Sequence, residues 1–338
     1  MSCELLIDSG NTRIKWALSA LPHAGQFGWL ASGSCTRDDV GALPKTWRDA
    51  VRRLAGEVRG NGEPKLPAAA WISNVAGPQA EATLRRCVTA LGVAETRVHV
   101  IRSRARQCGL SNLYLQPAQL GSDRWAAAIY ARHAYPDRPL LVATLGTATT
   151  LDRINPEGEF LGGLILPGLL AMLGSLGQST AGLPDLRAVL DGGAQDKDTQ
   201  PRAAEDGLPR SLFGARREGG AAVQTRGAGM LANALRAARS GHGGHTQAAI
   251  LGGCVLAQAG AVQRAWDALL EEHELGTLAP GGAHALRLRH LADVPQGPLC
   301  VLAGGAASAV AGLLDMPLAR HDNLVLSGLR LIAQEQGG

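Results

Sequence analysis

Aromatic residues make up only 4% of this 338-residue chain, so its cores must be assembled mainly from Leu, Ala and Val. Cysteines are sparse too. The six, Cys3, Cys35, Cys87, Cys108, Cys254 and Cys300, lie far apart with no C-x-x-C pair, which excludes a dense disulfide framework and suits thiols in a reducing compartment. Net charge is a modest +4 and is spread along the chain, without the basic face or stripe that marks a nucleic-acid binder. No basic segment precedes an apolar run at the N-terminus, where Glu4 already interrupts the pattern, so a signal peptide is not expected. The longest apolar stretch, Phe160 to Leu176, is broken by Pro167 and several glycines, which argues against a membrane span. A cytoplasmic protein is the expectation. G-x-x-x-x-G-K-[ST], G-x-S-x-G and H-E-x-x-H motifs are all missing, which removes several common enzyme classes.

What is present is a globular composition, 46% hydrophobic and 18% charged, long enough for two domains. The first residues read as strand, turn, strand: CELLI is a continuous apolar run, DSGNT is turn chemistry, and Ile14, Trp16 and Leu18 alternate with polar or small neighbours. The same grammar returns over Leu140 to Ile154 as LLVA, TLGTAT and TLDRI, a weak internal repeat. Between the two lie a loop region with Gly56, Gly60 and Gly62, an apolar run at Ala68 to Ile72, and helical patterns at Gln79 to Leu91 and Asp123 to Ala134. Beyond them come a glycine-rich segment, a helical stretch at Thr246 to Leu270, the strand-like LCVLAGG and a closing helix near Asn323 to Gln334. Strands alternating with helices in two halves predict an α/β fold of two related domains, 1–136 and 137–338. Residues 185–245, rich in Gly, Arg and Ala with one helical pattern at Ala228 to Arg239, read as an insertion that is partly flexible.

Two glycine turns carry the first chemical signal. Around Gly10 and Asn11 a turn with φ > 0 would let successive amides converge on an anion, Asp8 at its mouth suits Mg²⁺, and Lys15 can reach a phosphate. An ordinary hairpin accounts for the same residues. The second turn, with Thr147 and Thr149 offering hydroxyls, shifts the balance, because two such turns on two similar domains can grip a nucleotide's phosphates. A second signal is YLQPAQLGSDRWAAAIYA, where Ser122 or Asp123 is expected as a helix N-cap, with Gly121 allowing close backbone approach. Capping alone explains an Asp there. A catalytic carboxylate would suit the same position, kept ionised by the helix start and by Arg124, which could pair with a substrate carboxylate. Gly304 and Gly305 at a strand end suit a base or ribose, and His242 and His245 lack partners at metal spacing.

In this order, LLIDSGNTRIK, NLYLQPAQLGSDRW, LVATLGTATTLD, GGLILPGLLAMLGSLGQSTAGLP, HTQAAILGGCVLAQAGAV and VLAGG resemble type III pantothenate kinase, including the branch labelled Bvg accessory factor. The resemblance implies two ribonuclease-H-like domains of the actin, sugar kinase and Hsp70 superfamily, with the active site in the cleft between them. It implies ATP-dependent phosphorylation of pantothenate to 4′-phosphopantothenate, the first step of coenzyme A biosynthesis, with Mg²⁺ and a monovalent cation, K⁺ or NH₄⁺, in a homodimer that completes the substrate site. Carried onto this sequence, Asp8, Ser9, Gly10, Asn11, Thr12, Arg13, Ile14 and Lys15 form the first phosphate loop, and Gly146 and Thr147 touch the phosphates from the second. Tyr114, Gly121, Ser122, Asp123 and Arg124 hold pantothenate, Asp123 accepts the proton, and Thr246 matches a substrate-contacting Thr that opens a helix. Thr144 stands where the family commonly has an Asp that resembles a cation ligand, which puts the K⁺ requirement in doubt. A non-catalytic nucleotide-binding accessory protein, or a kinase for another hydroxylated acid, is the alternative on the same scaffold.

Overall fold

A computed structural model describes residues 2–21, 28–57, 66–179, 232–275 and 297–337. The chain is mixed α/β with two sheets, and it divides into two compact units, Met1–Val142 with Asp152–Gly163 and Asp322–Gly338, and Ala143–Leu151 with Leu164–His321.

In the first unit, β1 (Ser2–Ser9) pairs antiparallel with β2 (Arg13–Leu21), which pairs antiparallel with β3 (Ala31–Thr36). On its other side β1 runs parallel to β4 (Ala70–Asn74), and β4 parallel to β5 (Val98–Val100). The order β3-β2-β1-β4-β5 makes β1 central, and its apolar run follows from that place: Leu5, Leu6 and Ile7 are all fully buried, so both faces of the strand are covered. One face meets α1 (Leu43–Glu57) and α2 (Pro78–Leu91), with Leu5, Ile7, Trp16 and Leu18 packed among Trp47, Val51, Leu84 and Val88. Helix α1 is absent from the sequence reading, which placed Gly56 in a loop; its apolar stripe, Leu43, Trp47, Ala50, Val51 and Leu54, has helical spacing but is narrow between charged residues. Gly60 and Gly62 lie outside the described residues. Short strands β6 (Arg106–Gln107) and β7 (Leu110–Asn112) precede α3 (Ser122–Ala134).

Three strands follow, β8 (Leu140–Leu145), β9 (Ala148–Ile154) and β10 (Glu159–Pro167), and then α4 (Leu169–Ser179), the long α5 (Thr246–Leu275), β11 (Leu299–Ala303), α6 (Ala307–Ala311), β12 (Leu318–Arg320) and α7 (Leu324–Gly337). The second sheet is ordered β12-β11-β8-β9-β10-β7-β6. Its stretch β10-β9-β8-β11-β12 has the same relative order as the first sheet, so the internal repeat seen in the two glycine hairpins extends to sheet topology. This is the ribonuclease-H-like arrangement.

Within the first unit α7 returns to pack on α3 and on β1, β2 and β4. The α3–α7 crossing is so close that a Cβ on Gly328 would collide with the Ala126 carbonyl, which explains a glycine in an otherwise apolar helix. In the second unit α4, α5 and helical residues 232–240 share a small core of Leu169, Leu173, Ala234, Ala238, Leu251 and Val255. That short helix is the described part of the pattern expected at Ala228 to Arg239; the rest of the expected insertion up to residue 231 lies outside the described residues. No helix among the described residues is long and apolar enough to cross a membrane.

Candidate active site

The site in the first unit starts from the β1–β2 register, which sets Asp8 opposite Lys15 and Ser9 opposite Ile14. The turn between them closes when the Gly10 amide donates to the Arg13 carbonyl (3.1 Å), leaving Asn11, Thr12 and Arg13 exposed. Neither Gly10 nor Asn11 has φ > 0, contrary to the sequence expectation. The turn is instead stiffened from outside: Arg37, just past β3, donates from Nη1 to the Gly10 carbonyl (2.9 Å) and to Ser9 Oγ (3.5 Å).

The start of α3 supplies the other half. Gly121, not Ser122 or Asp123, occupies the N-cap, and no side chain caps the helix. Ser122 is buried and its Oγ lies 2.9 Å from Ser73 Oγ on β4, one hydroxyl donating to the other. Because Ser73 is in register with Asp8, that bond fixes the helix start against the strand that carries the turn. Asp123 is therefore free of capping, and its Oδ1 accepts the Arg124 amide (2.8 Å). Gly121 is a matter of room: a Cβ there would lie 2.6 Å from Asp123 Oδ1. Gly121→Ala should displace the Asp123 carboxylate; on the expectation that Asp123 accepts the proton, its signature is a kcat loss of about tenfold or more with little change in melting temperature, measured by steady-state kinetics beside thermal unfolding.

Electrostatics ties the two carboxylates together. Burial pushes Asp8 up to about 7, Lys15 opposes the shift, and the neighbouring Asp123 adds to it. Asp123 is raised as well, by burial first, which outweighs the amide and charge of Arg124 that pull it down. The helix start and Arg124 do favour the ionised form, as expected, but desolvation outweighs them. The sign for Asp8 follows: with its folded pKa raised, the carboxyl favours the fold below the ordinary carboxylate range, and that increment is lost as pH rises towards about 7. On the expectation that Asp8 holds Mg²⁺ through its ionised form, Mg²⁺ affinity should increase as pH rises to about 7, with proton release on binding; calorimetry in buffers of different ionisation heat reads both.

Arg124 is committed within the protein. Its guanidinium is buried, Nε donates to both carboxylate oxygens of Asp152 (3.0 and 3.2 Å), Nη2 donates to the same carboxylate, and Nη1 donates to the Tyr114 hydroxyl (3.1 Å). It also lies 5.9 Å from the Tyr114 ring centroid and 5.8 Å from that of Phe160. Asp152 and Arg37 are functional candidates that sequence reasoning missed. A charged residue in the middle of the apolar TLDRI was the available signal for Asp152; nothing local pointed to Arg37.

In the second unit the turn between β8 and β9 exposes Gly146, Thr147 and Ala148, while its underside is held. The Gly146 amide donates to the Ala148 carbonyl (3.0 Å), the Gly168 amide to the Thr147 carbonyl (3.1 Å), and the Ala306 amide to the Leu145 carbonyl (3.2 Å). Gly168 and Gly304 approach so closely that a Cβ on either would strike these carbonyls, and Gly304 has φ +98°. The described contacts of Gly304 are with the turn, where the sequence reading suggested a base or ribose. Thr149, expected to offer its hydroxyl, is fully buried and donates to Gln258. Thr246 is exposed as the first residue of α5; His245 Nδ1 accepts the Ala248 amide (3.3 Å) there.

Comparison with known proteins gives this geometry its family. The sequence model of type III pantothenate kinase matches residues 4–214. Curated type III pantothenate kinases of Burkholderia multivorans (strain ATCC 17616 / 249) and Janthinobacterium sp. (strain Marseille) are 38% and 35% identical, covering 98% and 97% of this chain and 97% and 96% of theirs. The chain belongs to the type III pantothenate kinase family. Among family features flagged from the sequence, Thr144 lies half-buried near the end of β8, one residue before the carbonyl that Ala306 holds.

Proposed function

We infer that this chain transfers the γ-phosphoryl group of ATP to the primary hydroxyl of pantothenate, giving 4′-phosphopantothenate in the first step of coenzyme A biosynthesis. Family membership across nearly the whole chain supports the reaction. The observation that carries the catalytic assignment is the partly buried Asp123 in the first turn of α3, its Oδ1 accepting the Arg124 amide and its charge within electrostatic reach of Asp8.

Asp123 orients the pantothenate hydroxyl and accepts its proton; burial, by raising its pKa, makes it a stronger base than a solvated aspartate. Phosphoryl transfer passes through a loose transition state, so the remaining work is positioning and charge stabilisation. The turn from Asp8 to Lys15 takes the nucleotide phosphates, with Lys15 as a point charge. In the second unit Gly146 and Thr147 contact phosphate as well. Asp8 offers the hard anionic oxygen that Mg²⁺ prefers, and the ion, when bound, neutralises phosphate charge. Tyr114, Gly121 and Ser122 shape the pantothenate side, and Arg124, oriented by Asp152, turns its remaining donors to the substrate carboxylate. Thr144 supplies a hydroxyl and a carbonyl but no charge, so a monovalent cation is held more weakly than by an Asp. Exposed Leu113, Leu115 and Leu161 support a homodimer in which a second copy covers them, and Thr246 joins the pantothenate contacts.

The test is formation of phosphopantothenate from Mg²⁺, ATP and pantothenate by purified protein, followed by mass spectrometry, with other hydroxylated acids in parallel. Nucleotide binding without turnover on any of them would favour the accessory-protein reading.

A further inference from the structure

Helix α5 is mostly apolar on its inner side, yet Gln258 near its middle is fully buried. A buried primary amide is costly unless both its ends are paired. Both are. Its Oε1 accepts the Thr149 hydroxyl (2.5 Å), and its Nε2 donates to the Pro167 carbonyl (2.9 Å) and lies 3.0 Å from Met172 Sδ. The two oxygen partners are not arbitrary. Thr149 follows the exposed turn Gly146–Thr147 by two residues on β9, and Pro167 directly precedes Gly168, whose amide holds the Thr147 carbonyl. One side chain therefore ties together the strand leaving the turn and the segment that clamps the turn from below.

We propose that Gln258 is a positioning residue for the Gly146–Thr147 turn and so for its grip on the nucleotide phosphates, an inference that rests on the kinase reading above. A carboxamide is suited to the task because it accepts at one end and donates at the other. Gln258→Leu leaves the buried Thr149 hydroxyl without its partner and removes the tether to the Pro167 carbonyl, and the turn loses its registration rather than its chemistry. The effect falls on the nucleotide. Asp123, Tyr114 and the run Gly121 to Arg124 belong to other elements and keep their geometry, and Thr246 stands at the far end of α5, in its first turn.

Gln258→Leu and the milder Thr149→Val are compared with Thr149→Ser, which keeps the hydroxyl. Expected are a rise in KM for Mg·ATP of roughly tenfold in the first two, KM for pantothenate within about twofold of wild type, and near-normal behaviour of Thr149→Ser. The double variant Gln258→Leu/Thr149→Val should be no worse than the worse single one, because both break the same bond. Thr149→Val that melts like wild type with an unchanged KM for Mg·ATP, or equal changes in both KM values, would overturn the inference alone. Wild-type protein that fails to bind Mg·ATP would overturn the kinase reading and this inference with it.

Discussion

Asp123→Asn is expected to lower kcat by about 10²–10⁴-fold, with KM for ATP and pantothenate moving far less and the melting temperature unchanged or slightly raised. Asn has the size of Asp and keeps an oxygen where Oδ1 accepts the Arg124 amide, so the helix start has no reason to shift. What it cannot do is take a proton from the attacking hydroxyl. Stability should not fall, because burial disfavours the ionised carboxylate that the substitution removes. A second readout separates this from a general perturbation: Asp8 loses one of the influences that raise it, so the acidic limb of Mg²⁺ binding should move to lower pH, although burial remains the larger cause. Steady-state kinetics and a pH series of Mg²⁺ binding check both. A variant with wild-type kcat would remove Asp123 from the chemistry.

How far the sequence disclosed this arrangement depended on whether the signal was local. Glycine hairpins are local: the apolar runs around DSGNT and TLGTAT led directly to β1–β2 and β8–β9, and the Ala-rich run after Asp123 led to α3 within one residue. Family motifs were ordered along the chain and equally readable. Other features were set by tertiary partners. Helix α1 looked like loop because its apolar stripe is narrow, and the return of α7 to pack on α3 leaves only Gly328 as a trace. The pKa of Asp123 ran against the local argument, since capping position and an adjacent Arg are visible in sequence whereas desolvation is not. Thr149 misled for a related reason: a hydroxyl in a phosphate-binding motif reads as a ligand until a buried Gln258 from a helix more than a hundred residues away is found holding it. Arg124 stood out in the sequence as a candidate site residue, but its partner did not. The rest of α3 and strand β8 lie between Arg124 and Asp152 in the chain, and only the fold brings them together.

That pair gives the largest expected stability effect. Asp152→Ala should cost about 3–5 kcal/mol, because it strands the Arg124 charge at a site where the two residues are only 8% and 2% exposed. For a unit of this size the loss corresponds to a fall in melting temperature of roughly 10 °C. Asp152→Asn keeps an acceptor but not the charge and should lie between. The cost belongs to the uncompensated cation, not to the ion pair as such, and this can be separated. Replacing both partners by apolar residues of similar volume, as in Arg124→Met/Asp152→Leu, removes the stranded charge and should recover much of the lost melting temperature. Activity should not recover with it, since the guanidinium proposed to face the pantothenate carboxylate is gone. A double variant that regains stability and stays inactive on pantothenate, while still binding Mg·ATP, therefore isolates the substrate role of Arg124 from its structural one. An Asp152→Ala protein that melts within a degree of wild type would mean that water or another group compensates Arg124, and a double variant with restored turnover would remove Arg124 from the substrate site.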